Sequence, residues 1–529
     1  MMISGNQLFS GHTLTLDPGR HPGPIALSDL AGTQEQPLVL RGPKATVGPG
    51  TPFSEYKREA NRLAAMHEDG GSFPGLYFMA DNAALTVRNC RWIVIEDLTF
   101  DGCWPTAIYL DNCQHVTIRR VSIRGGTVAI GAHGGNTRHL LIEKCDWLQD
   151  FTAQGERDLE LIRDHGHADP KPDLSDSLLY KATNWLQIHD WVKDTERRVD
   201  VETDARAFDG DFFRAWTIAG YVTIRENIVI DAFNGVHFFN QASRSIVGKY
   251  SRNVLIEDNW FVRLRDNAVE AEQFAWHWTV RRNRFVDVYA PFSLQMDRSG
   301  YFYIYANLGW SYHRPGPDDT DTMKNDRRNG RLFKLPTLHT ADGPHYVMHN
   351  SWLIRSSVMK KKRLANLVHR NNAIDYYDKG EEFDLAAASP FGEGWTSAYD
   401  PNADWAAIKK AEKERFTKAW EELGISFDGD VINHPDFPRM LRVAGYPIGA
   451  QANGEIPRFK DRRLGRPEDL RTRKKLPAVD IEVTFPSQEK TKLKGKELQA
   501  GAWQGNKPFT LPGPSFWENW PGPSRKAEV

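Results

Sequence analysis

The sequence predicts an all-β fold, a right-handed parallel β-helix, and two observations carry that prediction. One is a short motif of alternating apolar residues closed by Asn, which returns along the chain. It reads Val222-Thr223-Ile224-Arg225-Glu226-Asn227, then Val254-Leu255-Ile256-Glu257-Asp258-Asn259, then Trp278-Thr279-Val280-Arg281-Arg282-Asn283. It continues as Tyr303-Ile304-Tyr305-Ala306-Asn307, Tyr346-Val347-Met348-His349-Asn350 and Leu367-Val368-His369-Arg370-Asn371. The other is its spacing. Ile256, Val280 and Ile304 lie about 24 residues apart, Val347 and Val368 about 21, and the earlier Ile95, Ile118 and Ile142 about 23 and 24. That period is one rung of a solenoid, in which short strands pair in parallel with the rungs on either side.

Taken in order, strand character begins at Thr13. Two rows of Asn follow the rungs: Asn89, Asn112 and Asn136 before the early anchors, and Asn227, Asn259, Asn283, Asn307, Asn350 and Asn371 after the later ones. Asn tolerates a left-handed bend between sheets, and stacked amides can bond to one another up a ladder. The solenoid is expected over residues 1–376, interrupted twice. Residues 150–216 are too long for one rung, polar, aromatic and partly helical in pattern, and are expected to form a lid. Residues 308–331, rich in Pro, Asp and Arg, read as a loop. Residues 377–529 are expected to form a C-terminal extension packed on the solenoid. It carries one amphipathic helix near 405–423, capped by Asn402 or Asp404, and short strand-like pieces such as Val479 to Phe485.

Composition narrows the function classes. The 529 residues are 40% hydrophobic and 26% charged, which suits a chain able to bury a large core, and a net charge of -1 leaves no nucleic-acid footprint. No apolar run is long enough for a membrane span. The first residues lack a signal peptide, which leaves two expectations: a secreted or periplasmic protein whose leader lies outside this sequence, or a cytoplasmic one if Met1 is the native start. Four cysteines (Cys90, Cys103, Cys113, Cys145) are too few for a disulfide scaffold and lack zinc-type spacing. The 17 Trp, 16 Tyr and 27 Phe supply flat rings of the kind that pack on sugars, although aromatics also fill cores.

The N-terminal stretches Leu14-Thr15-Leu16-Asp17-Pro18-Gly19-Arg20, Gly23-Pro24-Ile25 and Gly32-Thr33 to Pro37-Leu38-Val39-Leu40-Arg41-Gly42 resemble the opening rungs of polysaccharide lyases of the alginate lyase and chondroitinase B type. The block Asp266-Asn267-Ala268-Val269-Glu270-Ala271-Glu272 through Asn283, Asn307 and Phe333-Lys334-Leu335 resembles bacterial right-handed β-helix repeat proteins more broadly. The resemblance covers roughly residues 10 to 375 and implies a carbohydrate-active enzyme acting on a long glycan. It carries over no catalytic set. After Glu272 this chain reads Gln273-Phe274-Ala275-Trp276-His277 where those lyases place a Lys and an Arg on successive rungs, and its next rung offers Gln295.

Aligning three rungs by their anchors stacks Gly235-Val236-His237-Phe238-Phe239, Ala268-Val269-Glu270-Ala271-Glu272 and Pro291-Phe292-Ser293-Leu294-Gln295 in one sheet. Alternation then sends His237, Phe239, Glu270, Glu272, Ser293 and Gln295 outward. Tyr109, Asp111 and His133 extend this expected polar strip on one side, and Lys334 on the other. Two Glu at i and i+2 project from one face about 6.5–7 Å apart at Cα. An inverting glycosidase needs its carboxyls about 6.5–9.5 Å apart, one as acid and one to activate water. The same pair would serve as oxygen ligands for calcium, or simply stay solvated or paired with Arg.

His237 is a candidate base or sugar ligand, and Lys334 a candidate for neutralising a uronate. Asp209-Gly210-Asp211 reads as a turn at the end of the lid, which would make Asp211 a second acid and Arg214 a substrate clamp. The catalytic candidates are therefore Glu270, Glu272, His237 and Asp211. The substrate-binding candidates are Gln295, Lys334, Arg214, Tyr109, Asp111 and His133, with Trp185, Trp191 and Trp310 as aromatic platforms. No cofactor is required, and calcium at Glu270 and Glu272 is the one metal considered. Glycoside hydrolysis is the favoured reaction. The alternatives are β-elimination on a uronic-acid glycan, with His237 or a Tyr as base and Lys334 or Arg298 near the carboxylate, and a non-catalytic glycan-binding solenoid.

Overall fold

The apolar anchors stack one above another. Leu14, Leu40, Ile95, Ile118, Ile142, Ile224, Ile256, Val280, Ile304 and Val347 are successive Cα partners across parallel strand pairs. The computed structural model describes residues 2–4, 10–49, 76–149, 209–239, 249–272, 274–286, 288–294, 298–310, 332–334, 342–354, 366–376, 431–432, 478–505 and 507–512. Its strands form a right-handed parallel β-helix. A typical rung runs Asn234–Phe239, Arg252–Glu257 and Trp260–Leu264, and the next repeats it as Asn267–Ala271, Trp276–Arg281 and Arg284–Val286. The first strand of each rung belongs to a ten-stranded sheet and the other two to a second, larger sheet.

Alternation buries one side of most solenoid strands in a core that runs from Leu16 to Ile374. The turn between the second and third strands needs a left-handed residue. Asp97, Arg120, Glu226, Asp258, Arg282 and Ala306 all take φ near +55° there. The Asn that follows is not itself the left-handed residue, contrary to the expectation for the later row. Its amide points inward: Asn259 Nδ2 donates to Ile224 O (2.9 Å) and to Asn283 Oδ1 (2.9 Å), and Asn259 N–H donates to Asn283 Oδ1 (3.0 Å). The same pattern links Asn227, Asn259, Asn283, Asn307, Asn350 and Asn372. The early row differs, because Asn89 and Asn112 are themselves left-handed and bond at the surface, with Asp29 extending the row.

The last repeat is shifted by one residue from its sequence reading. Val347 faces His369, not Val368, so Asn372 continues the ladder and Asn371 occupies the left-handed corner (φ +58°). His369 is buried inward and its Nδ1 meets Asn372 Nδ2 at 3.2 Å.

A charged column runs outward beside the anchors: Arg41, Glu96, Arg119, Glu143, Arg225, Glu257 and Arg281 are successive partners. Arg119, Arg225 and Arg281 each bind the Glu one rung before them at about 2.7 Å.

Three boundaries move. Asp211–Trp216 is a solenoid strand, so the excess chain expected to form a lid ends before Asp209. Leu308–Trp310 is also a strand, at odds with a loop from residue 308, and the rest of the predicted loop up to 331 lies outside the described residues. Val431–Ile432 pairs in parallel with Ala373–Ile374, so the solenoid borrows a strand from the extension. Farther along, Ile481, Val483, Phe485, Leu493 and Phe509 cover an outward patch of Tyr301, Tyr303, Tyr305, Tyr346 and Met348. The helix expected near 405–423 and most of the expected lid lie outside the described residues. An excess not read from the sequence separates Val47 from Leu85, and its last part, the helix Leu76–Asp81, places Met79 against the ten-stranded sheet.

Candidate functional site

Strand pairing on the ten-stranded sheet decides which side chains meet. Its outward column reads Tyr109, Gly131, Arg214, His237, Glu270, Ser293 and Lys334 in consecutive rungs. The parallel column two residues on contains Asp111, His133, Trp216 and Phe239, with Glu272 just past the next strand. Gly235 lets the strand carrying His237 approach its neighbour, because a Cβ there would lie 2.3 Å from Ala268 O.

Three of the candidates converge on the imidazole of a fourth. His237 Nδ1 lies 3.4 Å from Asp211 Oδ1 and 3.5 Å from Glu270 Oε2, and His237 Nε2 lies 3.6 Å from Glu272 Oε1. Asp211 also receives Arg214 Nε, and both are buried. Burial alone would push the ring's pKa down, but the Glu270 and Asp211 carboxylates outweigh it and raise it to about 10. His237 therefore carries its proton at neutral pH. Burial opposes the charge of Asp211 too, yet Arg214 and then His237 hold its pKa below the ordinary value. Glu272, at 23% side-chain exposure against 9% for Glu270, is the carboxylate most open to solvent.

The expected roles of Asp211 and Arg214 change with this geometry. Asp211 is not on a turn but on a buried strand, and Arg214, expected as a substrate clamp, is buried with its Nε bound by Asp211. Its guanidinium lies 5.1 Å from the Phe239 ring, which in turn sits 3.8 Å from the imidazole. Phe239 and Trp216 were not singled out as site residues from the sequence. Their outward alternation, Phe239 on the His237 strand and Trp216 on the strand before it, was the available signal.

The continuous polar strip is also corrected. Tyr109 is buried against Trp216 (6.1 Å) in an apolar cluster with Met79, Ala80, Ala83 and Val128, with Phe239 packed at its border. Asp111 and His133 lie beyond that cluster and face each other at 3.4 Å. On the other side, Lys334 is separated from Glu270 by the Ser293 rung, and its Nζ bonds both Asp266 oxygens (3.1 Å) and Asn267 Oδ1 (3.3 Å). Burial lowers the pKa of Lys334, but Asp266 and then Glu270 raise it above the usual range. Trp310 lies on a strand of the larger sheet, away from this face. Gln295, Trp185 and Trp191 lie outside the described residues.

Among the described residues no group of three or more His, Cys, Asp or Glu side chains is disposed to hold a metal ion. The two nitrogens of His237 face Glu270 and Glu272, so a calcium ion shared by that pair would have to displace the ring. No helix among the described residues is long and apolar enough to cross a membrane.

No family model and no curated protein matches the chain. Solved structures similar to it include a mannuronic acid specific polysaccharide family 6 lyase from human gut microbiota, 11% identical, covering 79% of this chain and 94% of that one at a TM-score of 0.32. A pectate lyase is 11% identical, covering 95% and 90% at a TM-score of 0.41. An endo-xylogalacturonan hydrolase from Aspergillus tubingensis is 9% identical, covering 82% and 85% at a TM-score of 0.34.

Proposed function

We propose that this chain cleaves a polysaccharide on the outer face of the ten-stranded sheet, by hydrolysis at the cluster centred on His237. The observation that carries the reading is the convergence of Asp211, from the rung before, and Glu270 and Glu272, from the rung after, on one protonated imidazole. Hydrolysis needs a proton for the departing sugar oxygen and a base for the attacking water. In this reading the sugar and the attacking water enter between His237 and Glu272, which stand 3.6 Å apart without them. His237 gives its proton to the departing oxygen, and Glu272, the most open carboxylate, takes one from water as the water oxygen bonds to the anomeric carbon and the glycosidic bond breaks. Asp211, Glu270 and Arg214 position the ring.

The β-elimination reading finds less support in the geometry. A charged imidazole is a poor proton acceptor, and the cations offered for a uronate, Lys334 and Arg298, are each bound to a carboxylate, Asp266 and Asp342. The deciding experiment incubates the protein with neutral and uronic-acid polysaccharides, reading reducing ends together with absorbance near ~232 nm, which only the double bond left by elimination produces. New reducing ends without absorbance are expected. Glu272→Gln and His237→Gln should each lose about 10²–10⁴-fold in kcat/KM, the range for removing a general acid or base. Absorbance rising in step with reducing ends would replace hydrolysis by elimination, and unchanged kcat/KM in both variants would move the reaction elsewhere.

A further inference from the structure

Charge at the cluster bears on which glycan can approach it. Four carboxylates stand there, on Asp211, Asp266, Glu270 and Glu272, against three cations, and each cation is already held. Arg214 is bound by Asp211, His237 is ringed by Asp211, Glu270 and Glu272, and Lys334 is bound by Asp266. Of the four carboxylates Glu272 is the most open to solvent, and its neighbour in the outward column is the Phe239 ring; Lys334 is about as exposed, but its Nζ is held by both Asp266 oxygens. An arriving uronate would meet negative charge with every nearby described cation committed. A sugar without a carboxylate would lose nothing there and would gain an aromatic surface.

We infer that the sugar unit bound at this cluster carries no carboxylate, so that the substrate is a neutral or amino-sugar polysaccharide. The inference rests on the cleavage reading above and narrows it to one substrate class. Trp216 on the preceding rung is buried, so the half-buried Phe239 is the ring that a sugar at this cluster can reach. Charge is committed at the reacting centre, and recognition passes to the Phe239 ring beside it.

Matched polymers test this without changing linkage. Alginate and polygalacturonate are compared with their carboxyl-reduced forms, and xylan, mannan, galactan and β-glucan complete the panel. Each is cast in native gels to read binding by retardation, and kcat/KM is read from reducing ends. The expected result is retardation by uncharged polymers, with kcat/KM at least ~100-fold higher than for any acidic parent, as repulsion between like charges at a binding face implies. In Glu272→Gln, retardation by the acidic parents should rise relative to the wild type. Equal or better binding and cleavage of an acidic parent would overturn the substrate class while leaving the cleavage reading intact. Failure of every polymer to bind or be cleaved would overturn both. An unchanged response of Glu272→Gln to acidic polymers would remove Glu272 as the source of the discrimination.

Discussion

Replacing Asn283 by Ala cuts the amide ladder near its middle, and the cost can be worked from the bonds it makes. Asn283 Oδ1 accepts from the N–H and the Nδ2 of Asn259 at 3.0 and 2.9 Å. Its own Nδ2 donates to Ile256 O at 2.9 Å and to Asn307 Oδ1 at 3.1 Å. After truncation Asn259 keeps its bond to Ile224 O but has two buried donors without that acceptor, while Asn307 Oδ1 still receives the backbone N–H of residue 283. Each buried group left unpaired costs about 1–3 kcal/mol, so two donors and a weakened acceptor amount to about 4 kcal/mol. Urea unfolding followed by tryptophan fluorescence measures this against the wild type. Asn371→Gly is the internal comparison, because Asn371 makes two half-buried bonds to Val479 and a contact with His349 Nε2 outside the ladder, and Gly keeps its left-handed corner; it should cost about 1–2 kcal/mol. A loss below about 1 kcal/mol for Asn283→Ala, or no difference between the two variants, would refute the view that this ladder is held by directed amide bonds.

Two further predictions concern the candidate site. The pKa of His237 is raised to about 10, so its charge stabilises the fold fully below the ordinary histidine value, and that contribution is lost as pH rises through about 10. Melting temperature should therefore fall between pH 6.5 and 10, by an amount corresponding to at most about 5 kcal/mol, and a flat profile across that window would mean that the ring is not charged in the folded state. Gly235→Ala should lower both stability and activity, because its Cβ would press on Ala268 O and displace the strand that carries His237; a variant with wild-type melting and kcat/KM would show that the two strands can part without cost.

The fold was legible because a solenoid repeats the same physical demand at constant spacing. Nearly every rung needs an inward apolar residue and a left-handed corner, the later ones also a stacked Asn, and such repetition states the demand more clearly than one strand could. The misreadings occur where a polar residue takes an inward place. His369 reads as solvent-facing, so the apolar Val368 looks like the anchor, and the ladder is then assigned to Asn371 instead of Asn372. Asp-Gly-Asp reads as a turn for the same reason, since carboxylates are seldom buried. Asp211 is nevertheless buried, because Arg214 lies three residues on and His237 twenty-six, and their charges offset its desolvation. The stack of His237 on Glu270 followed from aligning anchors. The partner of Lys334 did not, because Asp266 lies 68 residues away and belongs to a corner, which carries no period of its own. The apolar cluster that interrupts the strip was hidden because Met79 arrives from a helix outside the repeat.

The column from Arg41 to Arg281 alternates in sign at every step. Alternation of this kind acts as a parity check on rung number. Removing or duplicating one rung brings like charges into contact at the new junction, Arg against Arg or Glu against Glu, whereas removing or duplicating two adjacent rungs restores the sequence of signs. A designer who shortens or lengthens this solenoid therefore has to work in units of two, and the same arithmetic penalises a nascent chain that skips a single rung.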